Sequence, residues 1–527
     1  MTSPADDRVP WYRPSGADVV FVFMMVLIFQ GARNTMLDDP GLGWHLRNID
    51  AMLAEGWWLT RDPFTYPHDG KVKEWRTNQW LGEVPLWLGW QWAGEEGIAA
   101  VVSLVLAFML RCLYRMLLRD GIAWPPVVVW TGLAALGTQV SWVARPNVFT
   151  MLFLLWTARV CDLFHQGRCS RRFTLWLVPL FAVWANTHGG FLAGLITLGA
   201  TLAIEGGLAL GAIDVEARRP AQRRALHLGV LLAACALATL VNPYGYTLYP
   251  WVLKLLGNPF FMNLNHEWKP PPFGDTGSFR FELLMLLYPV MLALSRRRPN
   301  LIELGLGVVW LHFAFNGFRY VALWVLVAIP TMARCSLAIP WLESAAVRFG
   351  LSGSSSRLFK ARMGPAGWGW SVVVAALFFG LSRTAEGKFA RHNPKFIPAA
   401  ALSRLLELHR ERPQARIFHA YNWGGYLTWH GWNPTWPSFL NWLDDRNEVQ
   451  GQGHIEQWNS IVAAEPGWEK KLDEADVEII ALQPDAPVVA LLKKDLFWGR
   501  PYENAHAIIF ARALTPRPAL GPKRRFK

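Results

Sequence analysis

Residues 97–117, GIAAVVSLVLAFMLRCLYRML, form an apolar run that is charged only near its end, at Arg111 and Arg115. A helix needs about 20 mostly apolar residues to cross about 30 Å of hydrocarbon, because its backbone polar groups must be satisfied within the segment. Basic residues beside a membrane-spanning helix are retained on the cytoplasmic side. The run therefore predicts a transmembrane helix whose C-terminal end, followed by Arg119, is cytoplasmic.

The composition of the whole chain agrees with a lipid environment. Of its 527 residues, 52% are hydrophobic and 17% are charged, whereas soluble proteins carry about 25% charged residues. An aromatic content of 13% excludes long disordered stretches. The net charge of +13 would indicate a nucleic-acid partner in a soluble protein. Here the basic excess lies largely in loops between apolar segments and indicates topology, so we expect no nucleic acid as a partner.

Further apolar segments predict about 11 membrane-spanning helices. The predicted segments cover residues 17–36, 97–117, 123–143, 148–164, 173–186, 190–211, 226–241, 281–295, 301–315, 320–334 and 368–381. Arginines gather in every second connection, as in residues 168–172, 218–224 and 296–298. This alternation predicts a cytoplasmic N-terminus and an extracytoplasmic tail.

Two regions fall outside the predicted membrane segments. The first, residues 38–92, is acidic and rich in Trp and Pro, and it forms the first outer loop. The second, residues 388–527, shows a helical pattern at 399–410 and strand-like runs at 416–419, 477–483 and 505–512. Strands that alternate with helices predict a small α/β domain. The predicted fold is thus mainly α, with a polytopic transmembrane helix bundle in residues 1–386 and an extracytoplasmic α/β domain in residues 388–527.

Two adjacent carboxylates, Asp38 and Asp39, stand where the first segment leaves the membrane, in DDPGLGWHLRNIDAML (residues 38–53). Apolar residues at helical spacing after them predict an amphipathic helix in the interface, with His45 and Arg47 one or two turns from the pair. A partly buried carboxylate can act as a general base toward an acceptor hydroxyl, or hold a divalent cation near a phosphate. Equally, Asp is a favoured N-cap residue, and the pair can simply cap the helix.

Polar residues at the predicted outer ends of the spans form a second set of candidates. They are Arg33, Arg145, His188, His266, Glu267 and Arg319, with Glu83 and His68 in the first outer loop as further candidates. Ionisable groups near hydrocarbon tend to face a cavity, and arginines on this side suit a lipid-linked phosphate. For any single residue, snorkelling or helix capping is the plainer explanation. As a group they predict an outward-facing polar cavity.

Several motifs resemble those of a known group of membrane proteins. They are GWHL (residues 43–46), DPFT (62–65), QWLGE (79–83), ARPNVFT (144–150), WANTHGG (184–190), VNPYG (241–245), NHEW (265–268), NGFR (316–319) and YNWGGYLTW (421–429). The chain resembles bacterial multi-pass proteins of the GT-C superfamily of polyprenyl-phosphate-dependent glycosyltransferases. It departs from their pattern at Gly43, at Gln79 and at LDDR (443–446). The resemblance implies a GT-C-like bundle in the bacterial inner membrane, with Asp38 or Asp39 as the base or metal-associated group.

The expected function is transfer of a sugar from a polyprenyl-phosphate donor to a glycan, lipid or protein acceptor on the outer face of the bilayer. No cofactor is expected beyond a divalent cation at Asp38 or Asp39. The alternative is a non-enzymatic membrane component for lipid-linked glycan handling or envelope assembly, because a fold does not guarantee a chemistry. An ion-coupled transporter fits less well, since few charged residues lie in the middle of the spans.

Overall fold

The chain folds into many helices and one small sheet. The computed structural model describes residues 14–56, 58–66, 72–348, 368–388, 399–434 and 440–513. Its helices are α1 (Gly16–Leu37), α2 (Leu42–Glu55), α3 (Trp80–Arg119), α4 (Trp124–Thr138), α5 (Asn147–His165), α6 (Arg171–Thr174), α7 (Leu177–Thr187), α8 (Phe191–Gly211), α9 (Val215–Ala238), α10 (Leu248–Leu256), α11 (Pro259–Leu264), α12 (Phe279–Leu294), α13 (Leu301–Asn316), α14 (Val321–Ser336), α15 (Pro340–Arg348), α16 (Gly369–Ser382), α17 (Ala399–Glu411), α18 (Gly424–Gly431), α19 (Asn447–Gln450), α20 (Gln452–Val462), α21 (Trp468–Glu474) and α22 (Pro487–Leu492). Its strands are β1 (Arg416–His419), β2 (Val477–Leu482), β3 (Tyr502–Glu503) and β4 (Ile508–Ala511). The predicted mainly helical class is confirmed.

Internal contacts divide the chain into two compact units. The membrane unit comprises residues 1–37 and 78–390, and the loop–tail unit comprises residues 38–77 and 391–527. The sequence assigns all of residues 38–92 to the membrane part, whereas by contacts residues 38–77 group with the tail. The loop–tail unit is therefore assembled from two segments that are distant in sequence.

A helix lies over each apolar segment that the sequence predicts. Among the described residues, four helical stretches are long and apolar enough to cross a membrane: Trp80–Arg119, Asn147–His165, Phe191–Gly211 and Phe318–Ser336. Shorter apolar helices lie at Gly16–Gly31, Leu301–Asn316 and Gly369–Ala385. These helices indicate a membrane protein, and the count of about 11 crossings stays a prediction.

Helix α3 begins at Trp80, inside the stretch that the sequence predicts as loop. It kinks in its first half at Gly94, whose φ of 58° is a left-handed conformation that glycine adopts without steric cost. The two halves approach each other closely, since a Cβ on Gly97 would lie 1.9 Å from the carbonyl oxygen of Gly89. The kink thus separates the apolar run from a Trp-rich first part of the same helix.

Buried ion pairs join several helices of the membrane unit. Arg334 of α14 donates to Asp162 of α5 over 2.6 Å and lies 3.0 Å from Glu303 of α13. Arg159 of α5 pairs with Asp120, which follows α3. A charge removed from water needs such partners, because an unpaired buried charge is strongly destabilising. Arg334 therefore joins three helices of the membrane unit through buried ion pairs.

The tail contributes a four-stranded sheet in the order β1-β2-β4-β3. Strand β1 is parallel to β2, and β4 is antiparallel to both β2 and β3. Ile417, Phe418, Ile480 and Phe510 are fully buried and form part of its core, as expected for strands whose apolar side chains face packed elements. The predicted strands at 416–419 and 477–483 and the helix at 399–410 are confirmed.

The first loop extends this sheet on the side of β1. The N–H of Tyr66 donates to the carbonyl of Asn441 over 3.1 Å, and the N–H of Asn441 donates to the carbonyl of Phe64 over 2.9 Å. Asn441 in turn forms a parallel bridge with Ile417 of β1. Backbone N–H and C=O groups on the β1 side of the sheet are thereby paired within the loop–tail unit, and this edge is not left open.

Candidate functional site

The acidic pair lies immediately before α2 in the loop–tail unit. Asp39 is only 7% exposed, and its Oδ1 accepts the N–H of Gly41 over 2.7 Å. Gly41 occupies the N-cap position of α2, so Asp39 closes the turn that leads into the helix, as an Asx turn does. Asp38 is more exposed than Asp39. The capping interpretation therefore describes Asp39 in part, at a position two residues before the N-cap.

The beginning of α2 packs closely against α18, and glycines make this possible. A Cβ on Gly43 would lie 1.8 Å from the carbonyl oxygen of Gly425. A Cβ on Gly425 would lie 1.9 Å from the carbonyl oxygen of Pro40. We call these three residues the glycine contact. The missing side chain of Gly43, where the chain departs from the resembled pattern, permits this approach.

Polar contacts fix the next turn of α2 on the tail. The indole N–H of Trp44 donates to Asp445 over 2.8 Å. The Arg47 guanidinium donates to the carbonyl of Trp429 over 2.8 and 2.6 Å and pairs with Asp50 at 2.7 Å. His45, which is buried, lies in the same turn. His45 and Arg47 thus belong to the packing of α2 against the tail, and their role in substrate binding stays a prediction.

A buried ion cluster of Asp62, Asp444 and Arg446 joins the DPFT and LDDR motifs. The Arg446 guanidinium lies 2.9 Å from Asp62 and 2.5 Å from Asp444, with all three side chains almost fully buried. Its face packs on Trp75, 4.7 Å from the ring centroid. Burial alone would raise the pKa of Asp444, but the Arg446 charge and hydrogen bonds outweigh it and lower that pKa.

Lys73 lies beside this cluster. Its Nζ donates to Gln450 over 2.6 Å and to Thr65 over 3.3 Å. Burial lowers the pKa of Lys73 to about 8, against the opposing charges of Asp62 and Asp444. Lys73, Asp444 and Arg446 are not among the predicted site residues. The DPFT motif, and the charged residues of LDDR where the chain departs from the resembled pattern, were the signals that could have found them.

In the membrane unit, the charges of Arg145 and Arg319 act on His188, and we call these three residues the arginine–histidine cluster. His188 lies in the turn between α7 and α8, where its Nδ1 accepts the N–H of Gly190 over 3.0 Å and lies 2.9 Å from the Thr150 hydroxyl. Burial, together with the charges of Arg319 and Arg145, lowers the pKa of His188. The ring is therefore neutral at pH 7, and because Nδ1 accepts a hydrogen bond, its proton is on Nε2.

Arg319 is fixed by an aromatic ring that the sequence analysis did not single out. Its guanidinium stacks 4.0 Å from the centroid of Trp268. Trp268 shares a short 3₁₀ turn with His266 and Glu267. The N–H of Phe318 donates to the carbonyl of Lys269 over 2.9 Å, which joins the NHEW and NGFR motifs. The structure thus brings His266 and Glu267 beside the turn that carries Arg319.

Glu83 and Arg33 are the remaining predicted residues of the membrane unit. Glu83 is buried in the first turn of α3. The neighbouring Gly82 packs against the end of α7, where a Cβ would lie 2.6 Å from the carbonyl oxygen of Thr187, the residue before His188. Arg33 donates to Gln30 over 2.6 Å near the end of α1. His68 lies outside the described residues.

Metal-ligand geometry provides a test of the divalent cation. Within the described ranges, no group of three or more His, Cys, Asp or Glu side chains is arranged to hold a metal ion. A carboxylate such as Asp38 can still bind Mg²⁺ if water and substrate phosphate supply the other ligands, as is common for this ion. The divalent cation therefore stays a prediction, and a carboxylate such as Asp38 would be one ligand among water and phosphate oxygens.

Comparison with known proteins identifies the fold. No protein-family model and no curated protein matches the chain. Three solved structures of the Archaeoglobus fulgidus oligosaccharyltransferase match it. AglB in complex with an inhibitory peptide and a dolichol-phosphate has a TM-score of 0.55 at 11% identity, over 96% of this chain and 75% of that chain. The apo form has a TM-score of 0.53 at 12% identity, over 96% and 74%.

The third structure carries a tethered acceptor peptide that contains the NVT sequon. Its TM-score is 0.54 at 12% identity, over 95% of this chain and 74% of that chain. All three matches extend over nearly the whole chain, so they include the helices and the tail. At this level of identity the likeness concerns the fold. The chain therefore shares the fold of archaeal oligosaccharyltransferases, a GT-C-type fold.

Proposed function

We propose that this protein is a membrane glycosyltransferase that moves a sugar from a polyprenyl-phosphate donor to an acceptor on the outer face of the bacterial inner membrane. The observation that carries the proposal is the arginine–histidine cluster, in which Arg319 stacks on Trp268, His188 is held by Gly190 and Thr150, and the charges of Arg145 and Arg319 act on His188. Arginine guanidinium groups suit a phosphate, because they can donate two parallel hydrogen bonds to its oxygens. The structurally similar AglB was solved in complex with a dolichol-phosphate, which supports a donor of the same chemical class.

Each residue of the cluster has a separate role in holding the donor. Arg319, oriented by Trp268, and Arg145 pair with the phosphate oxygens. His188 donates its Nε2 proton to another oxygen. Because all three groups are positioned before the donor arrives, they stabilise the charge that develops on the leaving phosphate without rearranging. His266, Glu267, Glu83 and Arg33 line the approach to the sugar or the acceptor.

The reaction is a direct displacement at the anomeric carbon. Asp38 or Asp39 accepts the proton of the acceptor hydroxyl, whose oxygen forms the new bond to the sugar. The bond between the anomeric carbon and the phosphate oxygen breaks, and the lipid phosphate leaves with the electron pair. The acceptor is a hydroxyl-bearing glycan, lipid or protein.

Binding of undecaprenyl phosphate tests the proposal. Purified protein is titrated with undecaprenyl phosphate or with undecaprenol, and the complexes are counted by native mass spectrometry. The wild type is expected to retain the phosphate and to bind the alcohol at least tenfold more weakly, and Arg145→Gln and Arg319→Gln are expected to remove this preference. Arg280→Gln is the matched control, because Arg280 is exposed and paired with Gln139.

Two outcomes contradict the proposal. Equal binding of the phosphate and the alcohol by the wild type excludes phosphate recognition. If Arg280→Gln loses the preference for the phosphate over the alcohol as strongly as Arg319→Gln does, binding depends on general positive charge and not on the cluster. Phosphate binding with no sugar transfer to any acceptor would instead favour the non-enzymatic carrier.

A further inference from the structure

Five exposed arginines lie at one end of the membrane unit, in α6 and in the first half of α9. Nearby arginines have acidic partners, since Arg168 lies 3.5 Å from Asp120 and Arg224 lies 3.0 Å from Glu205. The five exposed side chains form no ion pair within the described parts of the chain. They are Arg171, Arg172, Arg218, Arg219 and Arg223, and we call them the arginine patch. Their positive charge is therefore open to an anion from outside the chain.

A contact between α6 and α9 brings the arginines of the two helices together. The Thr174 hydroxyl of α6 lies within hydrogen-bond distance of the His227 ring of α9, at 2.8 Å. The Phe164 ring packs on His227, with 5.1 Å between the ring centroids, and the charge of Arg171 acts on His227. Arg223 precedes His227 by about one helical turn, as Arg171 precedes Thr174. The arginines of both helices therefore lie beside the same contact.

The arginine patch adjoins exposed apolar side chains. Trp176, two residues after α6, is 73% exposed, and Leu226, about one turn after Arg223 in α9, is 72% exposed. Exposed Trp and Arg side chains at the end of apolar helices are typical of the level of lipid headgroups. Two exposed carboxylates, Asp214 and Glu216, stand near the start of α9. Since the arginines outnumber them, this surface keeps an excess of positive charge.

We propose that the arginine patch binds the headgroup of an anionic phospholipid. A guanidinium can donate two parallel hydrogen bonds to phosphate oxygens, and basic residues between membrane-spanning helices bind anionic headgroups. The exposed Trp176 and Leu226 favour a lipid over a soluble anion, because acyl chains would cover them. The inference is independent of the proposed function. The sequence predicts the arginine patch on the cytoplasmic side and the arginine–histidine cluster on the outer side.

Lipid retention in native mass spectrometry tests this site. The purified full chain is mixed with phosphatidylglycerol, which is anionic, and with phosphatidylethanolamine of the same acyl chains, which has no net charge. The wild type is expected to retain phosphatidylglycerol preferentially. Because each arginine near an anionic lipid contributes about fivefold in affinity, Arg171→Gln/Arg172→Gln and Arg219→Gln/Arg223→Gln are each expected to weaken phosphatidylglycerol binding by roughly 25-fold.

Another pair of exposed arginines provides the matched control. Arg296 and Arg298 lie in a different connection that the sequence predicts as cytoplasmic, and among the described residues they too form no ion pair. Arg296→Gln/Arg298→Gln therefore removes the same charge from outside the arginine patch, and it is expected to bind phosphatidylglycerol as the wild type does. All these side chains are exposed and unpaired, so the variants are expected to unfold at the wild-type temperature.

Hydrogen exchange locates the bound lipid. In the wild-type full chain, phosphatidylglycerol is expected to slow amide exchange in residues 168–176 and 218–226 relative to phosphatidylethanolamine. In Arg171→Gln/Arg172→Gln the two lipids are expected to give the same exchange in these segments. This readout is independent of how firmly a lipid is retained in the mass spectrometer.

Four results would overturn the inference. Equal retention of the two lipids by the wild type excludes recognition of an anionic headgroup. Patch variants that keep the wild-type preference exclude these arginines. An equal loss in Arg296→Gln/Arg298→Gln assigns the preference to the total positive charge of the predicted cytoplasmic side. A wild-type preference without slower exchange in residues 168–176 or 218–226 places the lipid elsewhere on the protein.

Discussion

At the scale of single residues, Arg446 shows how a charge becomes part of a core. Its guanidinium is fully buried between Asp62 and Asp444 and packs on Trp75. Burying these charges costs desolvation free energy. The ion pairs and hydrogen bonds between them offset this cost only while all three residues are present. The cluster therefore favours pairing of the first loop with the tail, since Asp62 without Arg446 would be a buried charge with no cation beside it.

Arg446→Met is expected to destabilise the loop–tail unit by about 3–5 kcal/mol, because it leaves two buried carboxylates without their cation. Arg404→Met is the control: Arg404 is partly exposed and paired with Glu407, and such surface pairs contribute less than about 1 kcal/mol. Hydrogen exchange of residues 441–450 in the full chain measures both effects. Equal protection in the two variants would show that the buried cluster contributes nothing.

His419 gives the loop–tail unit a predictable pH dependence. Burial lowers the pKa of His419 to about 4, below the value of about 6.5 in an unfolded chain. Between these values the unfolded chain binds a proton that the folded chain does not, so stability is full above pH 6.5 and falls as the pH is lowered. The expected slope is roughly 1 kcal/mol per pH unit below pH 6.

Unfolding of the wild type and of His419→Gln between pH 7 and pH 4.5 measures this slope. The variant lacks the titrating group and is expected to show a clearly flatter dependence over this range. Parallel curves for the two proteins would contradict the assignment to His419.

At the scale of elements, α2 and α18 depend on glycines for their close approach. Gly425→Ala is expected to destabilise the loop–tail unit by about 1–3 kcal/mol, the usual cost of overpacking, because its Cβ would meet the carbonyl oxygen of Pro40. Gly453→Ala in α20 is the matched control, since nothing lies within 4 Å of its Cβ position. Thermal unfolding measures both, and a more destabilised Gly453→Ala would contradict this account of the contact.

Elements with a strong local pattern were predictable from the sequence. Helix α8 and strand β1 appear at nearly the predicted bounds. Apolar runs and the alternation of apolar and polar residues depend on local backbone geometry and can be read from the sequence. The first part of α3 was not predicted as helix, since its aromatic residues and an internal proline at Pro85 are typical of an interfacial loop. The glycine contact was also invisible, because sequence does not show which segments approach closely.

At the scale of the whole molecule, the loop–tail unit is built from two segments separated by most of the chain. Periodicity and charge predicted the membrane helices and the tail as contiguous regions. The pairing of Asp62 with Arg446 could not be derived in this way, because it joins distant residues through buried charge. The same reason explains why the sequence did not show which residues contact the predicted site residues.

A cleavage experiment tests this assembly. A protease site placed within residues 389–398 allows the tail to be cut from the rest of the full chain after folding. The tail is expected to remain bound to the N-terminal fragment, because that fragment carries residues 38–77 of the same unit. Arg446→Met is expected to increase tail release, and Arg404→Met is not. Complete release from the wild type after cleavage would contradict the paired unit.

The central claim, sugar transfer from a polyprenyl-phosphate donor, is tested most directly by the lipid-linked sugar pool of cells that lack the gene. We expect one polyprenyl-phosphate sugar to accumulate while one envelope sugar disappears, with both changes reversed by the wild type and by Arg280→Gln but not by Arg319→Gln. An unchanged lipid-linked pool together with an unchanged envelope would contradict the claim.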